Sequence, residues 1–259
     1  MQLALTFDFW DTLFVDDSDE QRRRAQGLSP KPQARRELFV SEVLEHHPRL
    51  QRAAVVAAYE TAGEWCRRAW REHHRTPTLI ERLTMGLKNL GLSPTPGFDK
   101  LVTAFAEMEV SIPPDPAPGV AEALAVLAER HRLGIVSDTI VTPGAGLRRI
   151  LANADLLHLF EPQALVFSDE IGASKPEPSL FLHAARELGV APGALVHVGD
   201  REENDIEGPH QAGCRAVLYT GVVDRRTDGT RADGVCEHHD SMPALVTSLE
   251  REIVEKNDE

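Results

Sequence analysis

The chain has 259 residues, with 41 acidic against 28 basic side chains and a formal net charge of −13. That length supplies core for one large domain or two moderate ones, and that charge argues against a broad footprint on a nucleic-acid backbone. Three widely spaced cysteines show no paired metal spacing, no apolar stretch is long enough to span a bilayer, and no basic region precedes a signal-type core, so a cytoplasmic protein without a membrane partner is expected.

Leu3 to Phe7 is an apolar run that reads as a buried strand, and it ends in Asp8. A lone carboxylate inside such a strand would cost several kcal/mol, which places Asp8 just past its carboxyl end, the edge where open parallel sheets carry ligands. Val15 to Pro32 is polar, an acidic cluster (Asp16, Asp17, Asp19, Glu20) running into Arg22, Arg23 and Arg24, and reads as a solvent-exposed connector. From Pro32 to about Glu109 apolar residues recur at helical spacing, including Val43, Tyr59, Leu83, Leu87, Leu101 and Phe105. This predicts about four helices, broken at His47-Pro48, at Thr76-Pro77 and between Gly91 and Gly97. A helical block without strands behaves as an insertion, and the proline-rich stretch from Ser111 to Pro118 closes it.

Beyond that stretch strands and helices alternate. Helices are expected over 120–131, 143–151, 178–188 and 206–212, and strands over 133–137, 164–167, 195–198 and 215–219. Such alternation implies right-handed crossovers and a parallel sheet covered on both faces, to which the N-terminal strand belongs. The acidic tail from Glu250 to Glu259 reads as a fraying helix.

The strands end in polar groups: Asp8 after the first, Ser137-Asp138-Thr139 after the second, Gly199-Asp200 after the fourth with Asn204 and Asp205 behind, and Lys175 in the loop after the third. A parallel sheet gathers these ends on one side. Like charges there would repel by about 4 kcal/mol per close pair at an effective dielectric near 20 unless a cation intervenes. Magnesium suits such a site, since it takes oxygen ligands from one or two carboxylates, waters and a substrate phosphate. Asp8 and Asp200 would supply the carboxylates, a backbone carbonyl after Asp8 a third ligand, and Asp205 would bind through water or hold the ligands in place.

At these residues the chain resembles the haloacid dehalogenase superfamily, whose members share four loop motifs. Asp8 to Leu13 looks like the first motif, Ser137 the second, Lys175 in Ser174-Lys175-Pro176 the third, and Gly199 to Asp205 the fourth. The resemblance implies a Rossmann-like α/β core of three layers (residues 1–16 and 112–259) and an all-helical type I cap (17–111) that acts as a lid and chooses the substrate. It also implies catalytic roles for Asp8 as nucleophile, Lys175 and Ser137. Substrate binding would fall to Thr12, Ser137, Asp138 and Lys175, and metal binding to Asp8, the Trp10 backbone carbonyl, Asp200 and Asp205. Asp11 and Asn204 are left without a firm role.

Phosphatases of this superfamily usually carry a second Asp two residues after the nucleophile, as acid for the leaving group and base for water. Here that position is Trp10, and an indole cannot do that work. Asp11 is one residue away and would substitute only if the loop turned differently. The haloacid dehalogenases also lack that Asp, but they work without metal and usually lack the Gly-Asp pair, which this chain keeps as Gly199-Asp200. The expectation is therefore a Mg²⁺-dependent phosphatase that forms an aspartyl-phosphate from a small anionic substrate, as monomer or homodimer. The rivals are a metal-independent 2-haloacid dehalogenase and a catalytically weak binding or regulatory protein.

Other side chains receive ordinary roles. Arg22 to Arg24, Arg35 and Arg36 are expected to solvate helices, Tyr59, Trp65 and Trp70 to fill the helical core, and His73-His74 and His238-His239 to be exposed. Lys88 and Lys100 carry no mark of a Schiff-base lysine.

Overall fold

The short apolar runs become strands because their side chains are buried from end to end, as in Ala4 to Phe7. The structure, a computed structural model, describes residues 3–225 and 229–257. In chain order, β1 (Ala4–Phe7) is followed by α1 (Glu20–Ala25), α2 (Lys31–His46), α3 (Arg52–His73), α4 (Leu79–Lys88), α5 (Phe98–Ala106) and α6 (Met108–Ser111). Then come α7 (Val120–Ala128), β2 (Arg132–Ser137), α8 (Gly144–Asn153), β3 (Leu165–Phe167), α9 (Ser168–Ile171), α10 (Pro178–Leu188) and β4 (Leu195–Gly199). A π-helical stretch (Glu202–Glu207) leads into α11 (Gly208–Gln211), β5 (Arg215–Tyr219), β6 (Gly234–Cys236) and α12 (Met242–Asn257). The strands form one parallel sheet in the order β3-β2-β1-β4-β5-β6. Their carboxyl ends therefore share an edge, with β1 and β4 neighbours at its centre.

The chain divides into two compact units. Residues 1–16, 115–138 and 151–259 form the sheet-bearing unit, and residues 17–114 with 139–150 form the helical one. The fold is thus α/β, a Rossmann-like parallel sheet with an inserted helical unit. In the first unit α10 sets Leu180, Phe181, Ala184, Ala185 and Leu188 at helical spacing into a cluster with Ala4, Val136 and Val166. Each buried Leu or Phe contributes about 1.5–3 kcal/mol. In the second unit Phe39, Val43, Tyr59, Leu83, Leu87, Leu101 and Phe105 share a core. Its α4 begins where Thr78 and Glu81 cap one another, the Thr78 hydroxyl accepting from Glu81 N at 3.2 Å and the Glu81 carboxylate from Thr78 N at 2.8 Å.

The helix breaks fall where expected, and α10 and β5 occupy their expected spans. Four expectations need correction. The polar segment before Pro32 is not a bare exposed connector: it holds α1, and Asp19, Arg23 and Lys31 are buried. Arg23 and Arg35 do not simply solvate helices either. Arg23 donates to Ser29 O at 3.0 Å and Arg35 to Glu109 Oε1 at 3.0 Å, so each loses water only because an acceptor replaces it. Of the aromatic trio, Tyr59 is core, whereas Trp65 and Trp70 are half-buried. The helix expected over 206–212 starts earlier as the π-helical stretch, and β6 is an additional edge strand of three residues. Of the tail, Asp258 and Glu259 lie outside the described residues.

Candidate active site

The end of β1 delivers Asp8, whose backbone N–H still donates to Val198 O of β4 at 2.8 Å. Its carboxylate, buried, receives Lys175 Nζ at 2.7 Å. The same ammonium lies 2.5 Å from Asp205 Oδ1. Burial alone would push the Lys175 pKa down, but Asp205, Asp8 and Asp138 together carry it above its ordinary value. Burial would likewise raise Asp205, and Lys175 with His197 instead holds its carboxyl well below the usual carboxylate range. Lys175 and Asp205 are therefore an ionised pair, with the Asp8 carboxyl on the other side of the ammonium.

Backbone geometry explains how the fourth loop reaches this point. Asp205 Oδ2 accepts the Arg201 N–H at 2.9 Å, which closes the turn after β4. Glycine at 199 is required, because a Cβ there would fall on the Asp205 carboxyl group. Asp200 directly follows that glycine and is buried. One carboxylate oxygen from each of Asp8, Asp200 and Asp205 lies within 4.8 Å of the other two.

The remaining expected residues are placed as follows. Ser137 ends β2, fully buried, and its hydroxyl has no hydrogen-bond partner among the described residues; the same holds for the Thr12 hydroxyl. Asp138 is buried and its Oδ1 accepts the Lys175 backbone N–H at 3.0 Å, which anchors the loop that carries the lysine. Trp10 is half-buried, its ring edge-on to Phe9 at 4.9 Å, and its backbone bridges to Phe14. Asp11 adopts a left-handed backbone (φ 55°) and its carboxylate accepts from Asp16 N at 3.0 Å and from Arg225 at 2.6 Å. With both oxygens already accepting, it is not presented as a proton donor. Asn204 is half-buried on the π-helical stretch.

Three residues here escaped the sequence reading. Arg225, in the loop after β5, pairs with both Asp11 and Asp200. No local pattern marks it. His197 sits in the middle of β4, fully buried and hydrogen-bonded to Asp205. Its signal was available, since a histidine flanked by Val196 and Val198 in a buried strand needs partners for both ring nitrogens. His239, expected to be exposed, is buried: it stacks on Tyr219 at 4.2 Å and its Nε2 lies 2.8 Å from Thr12 O in the loop after β1. Its neighbour His238 is exposed, so the pair does diverge.

The donor set is oxygen alone, which suits a hard divalent cation. Asp200 fits best, because it is buried and its Oδ1 has no hydrogen-bond partner among the described residues, while Oδ2 meets the partly exposed Arg225 guanidinium. Arg225 already brings one positive group to it. Asp205 has both oxygens engaged and fits a role through bound water.

Comparison with known proteins agrees with this geometry. The model of the haloacid dehalogenase-like hydrolase family matches residues 3–213. Glyceraldehyde 3-phosphate phosphatase of Methanopyrus kandleri is 30% identical over 264 residues, which covers 97% of this chain and 95% of that protein. Among solved structures, a HAD phosphatase from Thermococcus onnurineus is similar with a TM-score of 0.61 at 20% identity, over 95% of this chain and 98% of that one. A 2-haloacid dehalogenase from Pseudomonas syringae is similar with a TM-score of 0.55 at 22% identity, over 96% and 100%. Both chemistries therefore occur on this fold, and the choice between them rests on the side chains.

Proposed function

Since this chain belongs to the haloacid dehalogenase-like hydrolase family, we propose that it is a Mg²⁺-dependent phosphatase of small phosphorylated metabolites, with Asp8 as nucleophile. The observation that carries this reading is Asp200, a buried carboxylate set beside Asp8 and Asp205, whose Oδ1 has no hydrogen-bond partner among the described residues. Displacement of halide from carbon has no use for that cation site. The full-length likeness to a curated phosphatase supports the same choice.

Asp8 uses one oxygen against Lys175 and attacks phosphorus in line with the other. The ester bond breaks, the alkoxide departs, and the phosphoryl group stays on Asp8 until water displaces it as inorganic phosphate. Lys175 neutralises part of the charge on the phosphoryl oxygens, and the hydroxyls of Ser137 and Thr12, without a partner among the described residues, donate to them. Mg²⁺, held by Asp8, Asp200 and the Trp10 carbonyl, with Asp205 acting through water, would neutralise the charge of the phosphoryl group as it transfers. Trp10 offers no proton to the leaving group. The loss of a general acid costs about 10² to 10⁴ in rate, so aryl phosphates, whose phenolate leaves unprotonated, are the better substrates. The helical unit is the cap in this reading and selects the substrate.

The test is an assay of the purified chain on p-nitrophenyl phosphate and 2-chloropropionate, with Mg²⁺ and with EDTA. Phosphate release that disappears in EDTA, and falls by at least about 10³ in Asp8→Asn, is expected. Chloride release that persists in EDTA would overturn the reading in favour of the dehalogenase.

A further inference from the structure

We infer that His197 is a positioning residue: from inside the sheet it fixes the Asp205 carboxylate for Lys175 and for the divalent cation, and Thr6 in turn fixes His197. This rests on the metal-dependent reading above. Thr6 and His197 stand directly opposite one another on β1 and β4, and both are fully buried. The Thr6 hydroxyl lies 3.0 Å from His197 Nδ1, and His197 Nε2 lies 3.2 Å from Asp205 Oδ1. The Phe181 ring meets the imidazole edge-on at 5.0 Å and closes its remaining side.

The direction of the chain of hydrogen bonds follows from its end. Asp205 is ionised beside Lys175 and only accepts, so His197 donates through Nε2. Nδ1 is then an acceptor, and Thr6 donates to it. Asp205 Oδ1 thus receives two donors, Lys175 from the site and His197 from the sheet, while Oδ2 receives Arg201 N–H. The three fix both the plane and the depth of the carboxylate. The imidazole thus spans from the buried Thr6 hydroxyl to the Asp205 carboxylate, a link that an apolar residue in this strand would not make.

The test compares His197→Leu, His197→Gln, Thr6→Val and the double variant Thr6→Val/His197→Leu by Mg²⁺ titration calorimetry and by kcat and KM on p-nitrophenyl phosphate. Loss of a group that orients a ligand typically weakens metal binding or activity about 10- to 100-fold. His197→Leu is expected to show that loss in Mg²⁺ affinity and in kcat, with KM nearly unchanged. His197→Gln, whose carboxamide can donate to Asp205, recovers most of it. Thr6→Val loses less, and adds nothing in the double variant because Thr6 acts through His197. Wild-type Mg²⁺ affinity in a folded His197→Leu, or additive losses in the double variant, would overturn the inference. If His197→Leu does not fold, Thr6→Val and His197→Gln decide: wild-type affinity in Thr6→Val, or no better retention in His197→Gln than in Thr6→Val, overturns it. A wild-type chain that takes up no Mg²⁺ overturns the phosphatase reading itself and this inference with it.

Discussion

Around Lys31 in the helical unit and around Lys175 in the sheet unit the chain buries the same arrangement, a lysine among carboxylates, but it completes the two differently. Lys31 Nζ lies 2.7 Å from Asp19, 3.0 Å from Asp17 and 3.1 Å from Glu109. Glu109 also receives Arg35 at 3.0 Å on the same oxygen and the Thr142 hydroxyl on the other. Burial would raise the Glu109 pKa, yet Arg35 and Lys31 bring it below its ordinary value. The polar atoms left over there, Asp19 Oδ2 and Arg35 Nε, belong to groups already bonded through another atom. Around Lys175, by contrast, Asp200 meets Arg225 through Oδ2 but leaves Oδ1 without a hydrogen bond, and the Ser137 and Thr12 hydroxyls have no partner among the described residues. In the first cluster each of these charged side chains already faces one of opposite sign within hydrogen-bond distance. The second has unmet electrostatic and hydrogen-bonding demand at the edge where the strands end.

By that contrast the cluster around Lys31 answers for stability and the one around Lys175 for binding. Glu109→Ala is expected to have the largest effect, a destabilisation of about 3–5 kcal/mol, because it leaves Lys31 and Arg35 facing each other in a buried place. Its Mg²⁺ affinity should match that of the wild type. Guanidinium unfolding measures the first and calorimetry the second. An unchanged unfolding midpoint would erase the difference between the clusters.

Asp200→Asn should behave in the opposite way. Mg²⁺ affinity falls by more than about 100-fold, since a ligand is lost rather than a supporting group. Stability changes by less than in Glu109→Ala, because the carboxamide keeps an oxygen for the partly exposed Arg225, Arg225 keeps Asp11, and the charge removed stood beside those of Asp8 and Asp205. A variant that binds Mg²⁺ normally, or that unfolds as readily as Glu109→Ala, would show that the two clusters do the same work.

The difference between the clusters also explains what could be read in the sequence. Asp8, Ser137, Asp138 and Asp200 were legible because each lies at the end of an apolar run, and a parallel sheet sends all such ends to one edge, whereas Lys175 and Asp205 lie further along their loops and were picked out with the help of the family resemblance. α10 was equally plain, with Pro178 at its start and Gly189 just past its end. The Lys31 cluster was not legible, since Glu109 meets Lys31 and Arg35 more than seventy positions away and locally each looks like a solvated charge. Arg225 was hidden for the same reason: its partners, Asp11 and Asp200, lie in other loops. His197 and His239 are buried by strands and helices that their own neighbours do not announce.

His239 supplies the smallest effect, and one that tests the sheet unit alone. It lies against the loop after β1, donating Nε2–H to Thr12 O, while its Nδ1 is buried without a partner among the described residues. A second ring proton would therefore sit on Nδ1 with no acceptor, and burial, the main influence, holds the pKa below its ordinary value of about 6.5. The unfolded chain takes up that proton as pH falls through about 6.5 and the folded chain does not, so the unfolded state binds more protons and stability falls with it. The slope is at most about 1.4 kcal/mol per pH unit per histidine, and it levels off only below the folded pKa. His197, whose pKa burial also lowers, contributes with the same sign, whereas Asp205 enters only at far lower pH. Urea unfolding from pH 7.5 to 5.5 should show stability flat above about pH 7 and falling below it. His239→Gln, which keeps a donor for Thr12 but no titrating group, should flatten that fall by up to one proton. An identical slope in wild type and variant would mean that the imidazole takes its second proton in the folded chain, so that the loop carrying Asp8 is not held by a neutral His239.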